Sequence, residues 1–276
     1  MTLDDRRVAD LLTRGIGRDV TVVGFPYDEG VARNGGRIGA RDGPAAFLKL
    51  LVDRRTGTAI NPEKAIDLRH ACSIPFVVGG GNDQSYPNAS ALLAHLSSRN
   101  ATPPSLAVIN IDAHLDVRLP TADGKAHSGT PFRQLLLDPR FVRHSRAAPG
   151  VPALPRFIEF AAQGSQCAQS HVDFVVQNGG DVVWLDDVQL RRSTRASFLD
   201  AIARLDGDRL FVSFDLDSVN SADAPGVSCP SPIGLSAQDA LDICFESGKN
   251  PKVALFDLSE LNPQIEEYRT ARLTAM

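Results

Sequence analysis

The sequence predicts an α/β fold: a mainly parallel sheet with helices on both faces. Three observations predict it. Short apolar runs recur along the chain, and stretches with helical spacing fill the intervals. Most of the runs are continuously apolar instead of alternating, as strands covered on both faces are. The polar residues suited to chemistry fall just after these runs, at the edge where open parallel sheets bind their ligands.

Taken in order, residues 20–25 read as the first strand. The glycine-rich loop from Asn34 to Pro44 opens a helix over residues 44–52, with Pro44 near its first turn. It lacks the GK[ST] ending of a phosphate loop and reads as a wall of the crevice, with Arg37 and Arg41 as suited to structural as to substrate contacts. Residues 75–78 form a strand running into Gly79-Gly80-Gly81-Asn82-Asp83-Gln84-Ser85, where the glycines let the backbone pass close to another element. Leu92, Leu93 and Leu96 mark a helix over residues 88–97. Residues 106–111 form the strand that leads to Asp112-Ala113-His114-Leu115-Asp116. Residues 147–155, rich in proline, read as a surface loop, and residues 157–160 and 182–185 as strands. Phe198, Leu199, Ile202 and Leu205 mark a helix over residues 194–205. Residues 210–214 precede Asp215-Leu216-Asp217, and Pro225-Gly226 turns the loop beyond it. A helix over residues 236–245 and a strand over residues 252–256 lead to Asp257-Leu258-Ser259-Glu260.

Composition narrows the function. The 276 residues are 43% hydrophobic, with no linker or composition break, so residues 1–276 read as a single catalytic domain. The net charge of -4 leaves no footprint for nucleic acid. No apolar run approaches the roughly 18 residues of a membrane span, and residues 1–19 carry no apolar signal core, so a cytoplasmic protein is expected. Cys72, Cys167, Cys229 and Cys244 lack CxxC spacing and read as free thiols. His70, His95, His144 and His171 have no motif around them.

The chemistry lies in Asp112, His114, Asp116, Asp215 and Asp217. Alternate positions at a strand end put side chains on one side, where they converge on cations. Carboxylates with one imidazole suit Mn²⁺ and its neighbours. Four crowded Asp carboxylates could not all ionise without cations between them. A metal pair in turn predicts hydrolysis of a C–N or P–O bond. Glu260 is placed to hold a cationic amidinium by paired hydrogen bonds, or else is an ordinary acidic helix leader. His127 is a possible proton shuttle, though a lone loop histidine is more often solvated.

These residues resemble a family. The loop from Asn34 to Pro44, Gly79 to Ser85, Asp112 to Asp116, Ser213 to Gly226 and Glu260-Leu261-Asn262-Pro263 together resemble the ureohydrolases: arginase, agmatinase, formiminoglutamase and proclavaminate amidinohydrolase. The resemblance runs from about Val22 to the C-terminus. It implies a three-layer αβα sandwich, a binuclear Mn²⁺ centre with a bridging hydroxide, and trimers or hexamers. Within the family, His127-Ser128-Gly129-Thr130-Pro131-Phe132-Arg133-Gln134 is most similar to formiminoglutamase, as is the stretch from Phe157 to Cys167. Ser128 stands where arginases and agmatinases usually carry His.

The implied reaction converts N-formimino-L-glutamate and water to L-glutamate and formamide, a step of histidine breakdown. By the same resemblance Asp112 and Asp215 bridge both metals, Asp116 binds the first, and His114 and Asp217 bind the second. Asp116 also passes a proton to the leaving amine, Glu260 holds the formimino group, and Arg118, Arg133 and Ser128 meet the substrate. The chain departs from the family at Asn82, where most members carry a His ligand to the first metal. An amide oxygen donates more weakly than imidazole, so Asn82 is expected to coordinate weakly or not at all. The family also continues with a further helix beyond the Asn262-Pro263 motif, whereas this chain stops at Met276. Two alternatives stay open: another guanidino- or amidino-acid hydrolase, agmatinase- or arginase-like, and a metal-poor, non-catalytic relative.

Overall fold

The computed structural model describes residues 20–53, 73–99, 103–142, 153–191 and 193–276. His70, Cys72, His144, residues 1–19 and residues 147–152 of the proline-rich loop lie outside the described residues. Strands β1 (Val20–Phe25), β2 (Ile74–Gly79), β3 (Leu106–Ile111), β4 (Phe157–Ala162), β5 (Gly180–Trp184), β6 (Arg209–Asp215) and β7 (Val253–Ser259) form one sheet in the order β1-β2-β7-β6-β3-β4-β5. Each neighbouring pair is parallel. Helices α1 (Glu29–Arg33), α2 (Gly43–Leu51), α3 (Ser85–Arg99), α4 (Pro131–Leu136), α5 (Pro139–Val142), α6 (Gln169–Gln177), α7 (Leu185–Leu190), α8 (Thr194–Ala203), α9 (Ala237–Lys249) and α10 (Arg269–Thr274) cover the sheet and link its strands.

Two apolar cores, one per face, make the three-layer αβα arrangement. On one face Ile109, Ile111, Val212 and Phe214 pack with Phe47 and Leu50 of α2, Val188 of α7, Phe198 of α8 and Ile243 of α9. On the other, Leu106, Val108 and Phe211 pack with Leu93 and Leu96 of α3 and with Phe132 and Leu135 of α4. Alternate residues of β3 therefore serve opposite cores, which is why its sequence is apolar but for Asn110. Among the described residues no helix is long and apolar enough to cross a membrane.

The expected strands are present, and their ends differ in informative ways. Strand β5 starts two residues earlier than expected, and Leu185 belongs to α7, whose first turn carries Asp186 and Asp187 as a helix N-terminus favours. Strand β7 continues past Phe256 through the buried Asp257, whose carboxylate accepts a hydrogen bond from Asn88 at 2.8 Å. Strand β4 shifts register between Phe160 and Ala162, and Ala161 takes φ +67. Helix α9 starts on a reciprocal cap between Ser236 and Asp239. The triple glycine is a close approach, as its composition predicted: a Cβ on Gly80 would strike the Tyr27 carbonyl.

Strand order positions the site. From β3 the chain moves one way to β4 and β5, then returns to lay β6 against the other side of β3. Such a reversal opens a crevice beyond the carboxyl ends of the two strands.

Candidate metal centre and active-site cleft

Asp112 to Asp116 leave the end of β3, and Asp215 and Asp217 leave the end of β6. The outer neighbours β2 and β7 deliver Asn82 and Glu260 to the same edge. A cleft of about 260 Å³ is lined by Asn82, His114, Asp116, Asp215, Asp217 and Glu260, with Asn34, Arg118 and Ser128 on its rim side.

Local folding fixes these side chains. Asp112 Oδ1 accepts the His114 backbone N–H at 2.8 Å, and Asp215 Oδ1 accepts that of Asp217 at 3.0 Å. The loop from 112 to 118 is clamped by Gln163 N–H to Ala113 O at 2.9 Å, Arg118 N–H to Gly129 O at 2.8 Å and Phe132 N–H to Asp116 O at 3.1 Å. Asp116 at φ +46 and Glu260 at φ +68 are held in the left-handed region. Such strain collects at functional sites.

The donor set fits divalent cations. One oxygen each from Asp112, Asp215 and Asp217 lie within 4.8 Å of one another, and so do ligand atoms of His114, Asp217 and Cys229. Asp217 belongs to both groups. Asp217 Oδ1 and Glu260 Oε2 are buried and have no hydrogen-bond partner among the described residues. Oxygen-rich donors with one imidazole match Mn²⁺ chemistry.

Electrostatics gives the same picture. Withdrawal from water, followed by the charge of Asp217, pushes Asp112 up from 3.8 to about 6. Asp116 rises to about 7 through desolvation and then the charge of Asp112. Glu260 rises to about 8 through desolvation and then Asp217, and Asp215 rises well above its usual range for the same two reasons. Burial works against a charge on His114, but Asp217 and then Asp112 outweigh it and raise the imidazole pKa. His114 Nδ1 lies 3.3 Å from both carboxylates. A cation here competes with protons, since a ligating histidine must be neutral and a ligating carboxyl ionised.

Asn82 adjoins the carboxylates. Its amide N–H₂ donates to Asp116 at 2.8 Å and to Asp112 at 3.3 Å, and its oxygen accepts from the Ser85 and Ser259 hydroxyls at 2.8 and 3.2 Å. In this arrangement Asn82 donates hydrogen bonds to the acids and offers no lone pair to a cation. Its backbone N–H meets Glu260 Oε1 at 3.1 Å.

At the rim, Arg118 and Ser128 are joined by Asn34, which the sequence marks only as the start of the glycine-rich loop. Asn34 accepts from Arg118 Nη1 at 3.2 Å and donates to Ser128 Oγ at 3.0 Å. It lies 84 residues from Arg118, and no spacing signal ties the two. Arg133 is not brought to the cleft, contrary to expectation. Its guanidinium stacks 4.1 Å from the centre of the Phe174 ring of α6, donates to Val117 O at 3.3 Å, and lines a separate hollow with His171. On α4 its neighbours Phe132 and Leu135 take the core, which leaves Arg133 to pack against α6. His127 is buried and structural: Nδ1 accepts from Gly129 N–H at 3.2 Å, so Nε2 donates to Leu119 O at 2.9 Å. Arg37 holds the carbonyls of Val227 and Ser228, and Arg41 pairs with Asp28. Cys167, Cys229 and Cys244 are free thiols.

A family model for the arginase family matches residues 63–276. The formimidoylglutamase of Ralstonia nicotianae is 32% identical over 282 residues, covering 93% of this chain and 82% of the relative. That of Nocardia farcinica is 33% identical, covering 92% and 82%. Trypanosoma cruzi formiminoglutamase, solved with Mn²⁺, superposes with a TM-score of 0.84 at 42% identity, over 99% of this chain and 95% of the other. The fold and the cleft thus have a clear lineage: the chain belongs to the arginase family. Within it, the similarity is to formiminoglutamases, hydrolases of C–N bonds in linear amidines. Bacillus subtilis arginase shares the fold at 20% identity and a TM-score of 0.69.

Proposed function

We propose that this protein hydrolyses N-formimino-L-glutamate to L-glutamate and formamide in a Mn²⁺-dependent reaction of histidine degradation. One observation carries the reading: His114, Asp116, Asp215, Asp217, Glu260 and Arg118 line a single cleft, and an Asp112 oxygen lies within 4.8 Å of oxygens of Asp215 and Asp217. Asp112, His114, Asp116, Asp215 and Asp217 would hold two cations. When bound, such a pair lowers the pKa of a shared water and polarises the bond to be attacked.

The protein's own groups supply the rest. Glu260, with Oε2 free of protein partners among the described residues, receives the formimino N–H groups by charge-assisted hydrogen bonds. Asp116 would pass the proton of the attacking water to the departing amine. Arg118, steered by Asn34, meets the carboxylates of the glutamate end. An arginine there disfavours agmatine, whose far end is a cation.

Purified protein supplied with Mn²⁺ is assayed on N-formimino-L-glutamate, L-arginine and agmatine side by side. The reading expects formamide and glutamate from the first and negligible turnover of the others. Turnover of agmatine or arginine in preference would assign it to another branch of the family. No turnover and no bound metal would leave the non-catalytic alternative.

A further inference from the structure

One level below the Asp112 and Asp215 carboxylates, a row of polar side chains crosses the sheet close to its carboxyl edge. Glu159 of β4 pairs in register with Asn110 of β3, Asn110 with Ser213 of β6, and Ser213 with Asp257 of β7. All four are fully buried. On the same face Val108, Phe157, Phe211 and Leu255 are apolar. The change from apolar to polar happens directly beneath the cluster, and none of the four residues lines the cleft.

Its best-defined link runs from Glu159 to Asp112. Asn110 Nδ2 donates to Glu159 Oε1 at 2.9 Å and to Asp112 Oδ2 at 3.2 Å. One amide nitrogen thus serves two acids. Turning the amide over would set its oxygen against both carboxyl groups, so Glu159 locks the donor toward Asp112. A buried polar pair of this kind is not needed for stability, because apolar groups of the same shape serve as well. We propose that Glu159, acting through Asn110, is a positioning residue for Asp112. It fixes the direction of the carboxylate oxygens and thereby the affinity of the centre for metal. This rests on the assignment of Asp112 as a metal ligand.

The test is calorimetric titration of MnCl₂ into the stripped full-length chain, with the melting temperature in EDTA as the control for folding. The double variant Glu159→Leu/Asn110→Leu replaces the pair by apolar groups and keeps the fold testable. It is expected to bind Mn²⁺ about 10- to 100-fold more weakly at a melting temperature near that of the parent, the range seen when groups that orient metal ligands are lost. Glu159→Gln keeps an acceptor for Asn110 and is expected to stay within about threefold of the parent. A double variant that binds Mn²⁺ as the parent does would overturn the proposal and leave the metal centre standing. So would Glu159→Gln falling as far as the double variant. A parent chain that binds no Mn²⁺ would overturn both the proposal and the metal centre.

Discussion

The middle of the sheet and its carboxyl edge obey opposite rules. In the middle, Ile109, Val212 and Phe160 are fully buried among apolar neighbours, and Phe160 meets Phe198 edge-on at 5.7 Å. This region stabilises the fold. A few ångströms on, Asp112, Asp215 and Glu260 are buried with raised pKa values, and Asp116 and Glu260 have left-handed backbone. This region costs stability, and the middle offsets it. A chain selected for stability alone would not gather acids at one edge; one selected to grip cations would.

The largest expected effect sharpens that contrast. Asp215→Ala should lower Mn²⁺ affinity and hydrolysis by well over about a hundredfold, the loss that removing an orienting partner already produces. At pH 8 without metal, the same variant should melt no lower than the parent, because a buried acid is gone. Loss of folding in EDTA would break the comparison. Phe198→Ala should do the reverse: destabilisation of about 3–5 kcal/mol by chemical denaturation, with Mn²⁺ affinity of the folded fraction unchanged.

Next comes Glu260→Gln, which keeps the shape and removes the charge. Its kcat/KM should fall by about 1.5–3 kcal/mol, roughly ten- to a hundredfold, as a charged hydrogen bond is lost. The pH dependence follows from the same acids. In the folded chain Asp112 and Asp116 keep protons to about 6 and 7, whereas unfolded aspartates release them near 3.8. The folded state therefore binds more protons across this interval, and the cluster's contribution lowers stability as pH rises from about 4 to about 7. Mn²⁺ must displace those protons, so its affinity should rise over the window from pH 6 to 8. Melting curves with and without Mn²⁺ across that range should diverge as pH increases; parallel curves would contradict the assignment.

The smallest effect separates two arginines. Arg118→Ala should raise KM for an acidic substrate. Arg133→Ala should leave kcat/KM unchanged and cost about 0.5–1 kcal/mol through the lost stacking on Phe174. Equal kinetic losses would return Arg133 to the cleft.

These fates show what was legible in the sequence. The strands and the five ligand-type residues were readable because parallel topology puts strand ends at one edge, so local motifs report a shared location. Arg133 was misplaced because its partner Phe174 lies on α6, which only the packed structure brings beside α4. Asn34 was read only as the start of the crevice-wall loop, because its bonds to Arg118 and Ser128 are long-range contacts with no spacing signal. The start of α7 at Leu185 was absorbed into a strand because a short apolar run suits either element, and only pairing with β4 ends the strand at Trp184. Asn110 and Glu159 were not singled out, because only the strand register sets them side by side.

The most direct measurement follows glutamate release from N-formimino-L-glutamate while Mn²⁺ is titrated into stripped protein, with bound metal counted in parallel. The account predicts no activity without metal and a rise that levels off near two ions per chain. Full activity in the stripped protein, or two bound ions with no hydrolysis of any amidino acid, would contradict it.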